Sequence, residues 1–143
     1  MLRKSITGLL LALVCSQPVL VLGAEMVVIV SARNPTDAMR VDQVADIFLG
    51  QSGRFPDGAL ASAIDQPIGA PQRDAFYLRV TAKSPALVKA YWTKMIFTGR
   101  GQPPREVRDS AAVRKLVADN PGLIGYIEHD ALDASVKAVL VVR

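Results

Sequence analysis

Apolar residues fall into two kinds of pattern along this chain, and the alternation of the two predicts the fold. Continuous runs rich in Val, Ile and Ala at 26–31, 59–64, 123–127 and 136–142 predict four buried strands. Between these runs, apolar residues recur at the spacing of amphipathic helices. Strands that alternate with helices favour an α/β domain whose sheet is at least partly parallel.

Helix start and stop signals predict four helices. The first is expected to end at Gly50, and its apolar face consists of Val41, Val44, Ala45 and Phe48. The second is expected to begin at Pro71, because proline suits a first turn where its missing amide proton is not needed. The last covers about 109–119, with Val113, Leu116 and Val117 inward.

The third helix carries the widest apolar stripe of the chain. Ser84 and Pro85 predict its start, because a hydroxyl caps the free amides and proline fits the first turn. The helical spacing of the stripe predicts core packing, and its members are Leu87, Val88, Tyr91, Trp92, Met95 and Ile96.

The first 24 residues are predicted to be a secretory signal peptide. Two basic residues precede the apolar stretch 6–14, which is too short to span a bilayer, and Gly23 and Ala24 suit cleavage. Cys15 has no small residue directly before it, so we expect it to be removed without a lipid anchor. The mature domain is predicted to cover 25–143, to contain no cysteine and to lie in the periplasm.

Charge and motifs exclude several function classes. The chain has 17 Lys and Arg against 13 Asp and Glu, and loss of Arg3 and Lys4 reduces the surplus to two. This surplus does not predict a nucleic-acid partner, and it is compatible with an anionic ligand. Neither GxGxxG nor GxxxxGK[ST] is present, so no nucleotide fingerprint is found and no cofactor is predicted.

His129 is the one histidine, and acidic residues flank it on both sides. One histidine with scattered carboxylates is weak support for a metal site, which normally has several strong ligands. A catalytic triad is recognised by geometry, which a sequence does not show. A position directly after a strand favours a solvated turn, so we predict no metal site and no catalytic residue. A hydrolase that uses His129 is the last-ranked hypothesis.

The stretch between the second strand and the second helix is the most informative. Pro67 lacks an amide proton and Gly69 permits positive φ, so the strand cannot continue there. A helix that begins behind such a loop presents free N–H groups and the positive end of its dipole, which binds anions. Arg73 adds a planar cationic fork suited to an oxyanion. The competing interpretation is an ordinary joint in which Arg73 is solvated or pairs with Asp74.

A second glycine-rich loop covers 98–104 and carries Arg100. Its glycines and the arginine could approach an anion, and a solvated connector is the alternative.

Several phrases of the sequence resemble phosphate-binding proteins that serve ABC transporters. The phrases are 44–50 followed by Phe55-Pro56-Asp57-Gly58, and 120–126, which is similar to the GAIGYV strand of that family. Over 27–142 the chain resembles a short exported subgroup of periplasmic-binding-protein-like domains. It shares with that subgroup the Asp65-Gln66-Pro67 loop, the loop 97–101 and the phrase 103–107.

The resemblance implies an α/β, single-lobe periplasmic-binding-protein-like domain with a small mixed sheet flanked by helices. It also implies a non-enzymatic module that binds phosphate or another small oxyanion and is linked to phosphate ABC transport. Carried over to this sequence, the ligand-binding positions are Ser31, Arg33, Asp65, Gly69, Ala70, Gln72, Arg73 and Arg100.

Two departures from the family leave another function open. Its Ser-Gly-Thr loop is replaced here by Gly69-Ala70-Pro71-Gln72, which has no hydroxyl and one amide donor fewer. Full members close two lobes over the ligand in chains about twice as long, whereas a domain of this size normally forms one core. The alternative is a domain that has lost its ligand and acts as an interaction or sensory partner of a membrane protein. A homodimer that rebuilds the cleft is a further option.

Overall fold

The computed structural model describes residues 25–143, so the predicted signal peptide and Cys15 lie outside the described residues. The strands are β1 (Met26–Ser31), β2 (Ser62–Asp65), β3 (Arg105–Glu106), β4 (Leu123–Glu128) and β5 (Val136–Val142). The helices are α1 (Val41–Phe48), α2 (Pro71–Thr81), α3 (Pro85–Phe97) and α4 (Ser110–Asp119), with a one-turn 3-10 helix at His129–Ala131. None of these helices is long and apolar enough to cross a bilayer.

The five strands form one mixed sheet in the order β3-β2-β4-β1-β5. β2 pairs in parallel with β3 and β4, whereas β1 pairs antiparallel with β4 and β5. This arrangement confirms the predicted α/β domain with a partly parallel sheet. Because β2, β3 and β4 share one direction, their carboxyl ends meet at one edge, where the loop to α2 begins. The carboxyl end of β1 lies at the opposite edge, since Val30 pairs with Ile124 near the start of β4.

The core has two sides because alternate residues of β1 face opposite layers. Met26, Val28 and Val30 pack in the layer that contains α1, α2 and α3. Val27 and Ile29 pack in the other layer, whose helix is α4. All six residues of β1 are buried, so a strand covered on both faces explains the continuous apolar run in the sequence.

Two strands differ from the sequence expectation. β2 begins at Ser62 rather than at 59, because the chain before it turns through one bridge between Arg54 and Leu60. β3 was not predicted. It has two exposed residues directly after Pro103 and Pro104, so it has no apolar run that could mark it.

The prediction for the stripe on α3 is right in part and wrong for two residues. Val88 and Trp92 are buried at 1% and 5% exposure, as predicted. Leu87 and Ile96 are 55% and 48% exposed, so their predicted core packing is wrong. The physical reason is the position of α3 at the outside of its layer, where α2 is its main helical neighbour. The helix therefore leaves a partly apolar outer face in contact with solvent.

Candidate functional site

Asp65 ends β2, and its buried carboxylate accepts four hydrogen bonds. Oδ1 accepts from the hydroxyl of Tyr126 at 2.5 Å and from the amide of Gln66 at 2.8 Å. Oδ2 accepts from the hydroxyl of Tyr77 at 2.8 Å and from Nε of Arg73 at 3.2 Å. A buried carboxylate is tolerated when it is paired in this way. The resulting cluster, called the Asp65 cluster below, ties β2, α2 and β4 together.

The Asp65 cluster combines an ion pair with two tyrosine hydroxyls. Burial and then the charge of Asp65 raise the pKa of Tyr77 and of Tyr126 far above the ordinary value, so both hydroxyls remain donors. Burial lowers the pKa of Arg73, but Asp65 and Tyr77 outweigh this effect and leave that pKa raised. The guanidinium carbon of Arg73 also lies 4.9 Å from the centre of the Tyr77 ring. The cluster is therefore an ion pair held by two neutral hydroxyls.

Each of the three parallel strands ends at this edge with an acidic residue: Asp65 on β2, Glu106 on β3 and Glu128 on β4. Oε1 of Glu106 accepts from the amide of Ile68 at 2.7 Å. Oε1 of Glu128 accepts from Nε2 of Gln72 at 2.7 Å. Carboxylates of the protein itself thus occupy donors that an oxyanion at this loop would use.

Several donors remain without a protein acceptor. Gly69 has a φ of +89°, a conformation that residues with a side chain rarely adopt. The amide of Ala70 is occupied, since it donates to the carbonyl of Pro67 at 3.0 Å. Among residues 25–143, no acceptor is found for the amides of Gly69, Gln72 and Arg73 or for the terminal nitrogens of Arg73. The first turn of α2 therefore presents fewer free donors than the sequence predicted, and these donors are of the kind that an anion uses.

Arg73 lines a groove of about 630 Å³ between α2 and α3, which we call the α2–α3 groove. Its polar residues besides Arg73 are Asp74, Lys89 and Thr93. Its other side chains are apolar: Ile68, Pro85, Ala86, Trp92, Ile96 and Pro103. A guanidinium at an apolar groove can bind an anionic group while the groove holds an apolar one.

The structure separates three predicted ligand residues from this site. The hydroxyl of Ser31 donates to the carbonyl of Ala118 at 3.1 Å, and Nη2 of Arg33 donates to the carbonyl of Asp119 at 3.0 Å. Both contacts lie at the carboxyl end of α4, across the sheet from the Asp65 cluster. Arg100 is exposed in the loop after α3 and is not among the residues that line the α2–α3 groove. The other five predicted ligand residues lie together where β2 leads into α2, and they are Asp65, Gly69, Ala70, Gln72 and Arg73.

Sequence reasoning missed Tyr77, Tyr126, Glu106, Glu128 and Lys89. One signal was present, because Tyr77 follows Arg73 by four residues and so shares its helix face. The contacts of Tyr126, Glu106 and Glu128 connect elements far apart in the chain, and the place of Lys89 depends on how α3 packs beside α2, so none of the four has a local signature.

His129 lies exposed on the one-turn helix, in agreement with the predicted surface turn. Within the described residues its side chain has no hydrogen-bond partner, so the structure assembles no triad around it. Over the same residues, no group of three or more His, Cys, Asp or Glu side chains is placed to hold a metal ion.

Neither a family model nor a curated protein matches this chain, but solved structures do. A phosphate ABC transporter substrate-binding protein from Clostridium perfringens, solved with bound phosphate, is 26% identical with a TM-score of 0.63. The match covers 81% of this chain and 45% of that one. An ABC-type phosphate transport receptor from Vibrio cholerae is 18% identical with a TM-score of 0.64, over 81% and 46% of the two chains. PstS from Borrelia burgdorferi is 13% identical with a TM-score of 0.58, over 83% and 47%.

The chain therefore has a single-lobe periplasmic-binding-protein-like fold and resembles phosphate ABC transporter substrate-binding proteins, as its sequence phrases predicted. It spans about half the length of each of these structures. The two structures from Vibrio cholerae and Borrelia burgdorferi share its fold.

Proposed function

We propose that this chain is a non-enzymatic solute-binding module that holds a small oxyanion, phosphate included, where α2 begins. The observation that carries the proposal is the hydrogen bonding and position of the Arg73 guanidinium. This buried guanidinium is bonded to Asp65 through Nε, no acceptor is found for its terminal nitrogens among residues 25–143, and the residue lines the α2–α3 groove. The 26% identical structure that holds phosphate supports the same ligand class.

Magnitudes favour weak binding. A hydrogen bond to a charged group contributes roughly 1.5–3 kcal/mol, and a millimolar Kd needs about 4 kcal/mol. Asp65 already neutralises much of the charge on Arg73, and the donors of Ile68 and of the Gln72 side chain are taken. A few remaining donors at a half-open site therefore support affinity in the millimolar range.

The proposed setting is the periplasm, after removal of residues 1–24, next to a membrane transporter or sensor. N-terminal sequencing of the exported protein is expected to give a start near Glu25. A mature chain that begins at a lipidated Cys15 contradicts this setting.

A second candidate function is a ligand-free domain that acts as an interaction or sensory partner of a membrane protein. Two observations favour it. Glu106 occupies a donor of the β2–α2 loop and Glu128 one in the first turn of α2. The helix α3 exposes Leu87, Ile96 and Phe97 at 55%, 48% and 91%.

Calorimetry of the exported protein with phosphate and sulfate distinguishes the two candidates. Arg73→Lys keeps a cation beside Asp65 but removes the guanidinium fork, so it is expected to weaken binding about ten-fold. Arg79→Lys, at an exposed site in the last turn of α2, is the matched control and is expected to leave binding unchanged. Absence of binding at anion concentrations well above the expected millimolar Kd rejects the oxyanion site in favour of the partner function. Solution mass tests whether two copies form a homodimer.

A further inference from the structure

We propose that the preferred ligand of the α2–α3 groove is a monocarboxylate with an apolar body of several carbons. This inference rests on the proposed function of Arg73 and names the ligand class. The carboxylate lies on the terminal nitrogens of Arg73, and the apolar body lies along the groove.

The lining of the groove carries the first part of the inference. Its volume of about 630 Å³ is far larger than an inorganic anion needs and lies within the usual range of roughly 300–1,000 Å³ for small-molecule sites. Apolar walls with a few convergent polar groups are the usual composition of such sites. Inorganic phosphate bound at Arg73 would be too small to fill the groove, whose lining also includes Pro85, Trp92 and Ile96.

The charges around Arg73 carry the second part. Arg73 and Lys89 line the groove together with Asp74, and Asp65 forms an ion pair with Nε of Arg73. Glu106 and Glu128 bind the segment on either side of Gly69. A phosphate group carries a charge of roughly −1.5 to −2 at pH 7, whereas a carboxylate carries a single negative charge. The four nearby acidic residues therefore disfavour phosphate more strongly than a carboxylate.

Trp92 belongs to the apolar wall of the groove and supplies a probe of binding. Its side chain lines the groove at 5% exposure. Among residues 25–143, its Nε1 is the one buried side-chain nitrogen or oxygen without a hydrogen-bond partner. Trp92 is also the one tryptophan of the chain, so its fluorescence reports on the groove without a label.

Four probes separate charge from apolar contact: hexanoate has both, acetate has the charge, 1-hexanol has the apolar body, and inorganic phosphate has the larger charge. Titration of the exported protein is followed by Trp92 fluorescence and calorimetry. Hexanoate is expected to bind at least about ten-fold more tightly than each of the other three, since it alone uses Arg73 and the apolar wall.

Ala86→Phe locates the site, because Ala86 is an exposed groove residue whose enlargement fills the groove without entering the core. Ala90→Phe is the matched control, one turn later on α3 and outside the groove lining. Ala86→Phe is expected to remove the advantage of hexanoate over acetate, and Ala90→Phe to keep it. Equal effects of the two variants overturn the location.

The remaining outcomes separate this inference from the proposed function. If acetate and phosphate bind as well as hexanoate, the ligand class is wrong and the oxyanion site stands. If 1-hexanol binds as well as hexanoate, the groove selects for apolarity alone, and the inference is rejected. If no probe binds, both proposals fail together.

Discussion

The hydroxyl of Tyr126 donates to Oδ1 of Asp65 at 2.5 Å, although 61 positions separate the two residues in the chain. The contact joins the middle of β4 to the carboxyl end of β2, beside the strand pair that sets their register. It is therefore one of the interactions that hold the β2–α2 loop in place.

Tyr126→Phe is expected to lower the free energy of unfolding by about 1.5–3 kcal/mol, the usual contribution of a hydrogen bond to a charged group. Urea denaturation measures the change. Tyr91→Phe is the control, since its hydroxyl donates to the neutral carbonyl of Leu49 and should contribute about 0.5–1.5 kcal/mol. If Tyr126→Phe is no more destabilising than Tyr91→Phe, the Asp65 cluster does not anchor the loop.

The fold was largely predictable because its strong signals are local. The all-apolar run of β1 and the stop after α4 each mark an element without knowledge of its neighbours. The two residues of β3 lack such a signal, since their place depends on pairing with Ile64 and Asp65.

The candidate site was predictable in part. The direction of β1 explains why Ser31, a predicted ligand residue, lies away from it. A parallel β1 would have placed Ser31 at the same edge as Asp65, where the resemblance assigned both to a ligand. The sequence does not determine that β1 is antiparallel to β4, and this direction moves Ser31 across the sheet. Pairs such as Asp65 with Tyr126 likewise arise from the tertiary fold.

Two buried tyrosines predict loss of stability at alkaline pH. Burial and then Asp65 raise the pKa of Tyr77 and Tyr126 in the folded state, whereas unfolding returns both to about 10. The stabilisation is thus fully present below pH 10 and falls as pH rises above it, by about 1.4 kcal/mol per pH unit for each tyrosine. Urea denaturation across this range should give a steeper decline for the unaltered protein than for Tyr126→Phe. Equal slopes contradict the assignment.

Gly125 permits the close approach of α4 to β4. A Cβ at this position would lie 2.5 Å from Cγ1 of Val113 and 3.3 Å from Cγ2 of Val117. Gly125→Ala is therefore expected to destabilise the protein by about 1–3 kcal/mol through overpacking. Gly53→Ala is the control, because nothing lies within 4 Å of its Cβ position. Thermal melts should show a clear loss for the first variant alone, and a neutral Gly125→Ala would contradict this packing.

Trp92 contributes to stability through its burial, whereas Leu87 on the same helix is exposed. Trp92→Ala is expected to lower the free energy of unfolding by about 3–5 kcal/mol, as large-to-small core changes do. Leu87→Ala, at a 55% exposed position of the same helix, is expected to have a much smaller effect. Chemical denaturation checks both variants, and a loss below about 1 kcal/mol for Trp92→Ala would place its ring outside the core.

Arg73 has a structural role that must be separated from its proposed role in binding. Arg73→Ala leaves the buried carboxylate of Asp65 without its cation, and breaking a buried pair destabilises by about 3–5 kcal/mol. Arg79→Ala removes the same charge from the exposed end of α2 and should stay within about 0.5 kcal/mol.

A double-mutant cycle with Asp65→Asn isolates the pair. Removal of the negative charge makes the loss of Arg73 less harmful, since no buried ion is left unpaired. The double variant is therefore expected to be more stable than the sum of the two single changes predicts, by about 0.5–3 kcal/mol. Urea denaturation of the four proteins measures this coupling. Additive effects would mean that Arg73 and Asp65 act independently, and any loss of ligand affinity in Arg73→Ala would then report on the ligand contact itself.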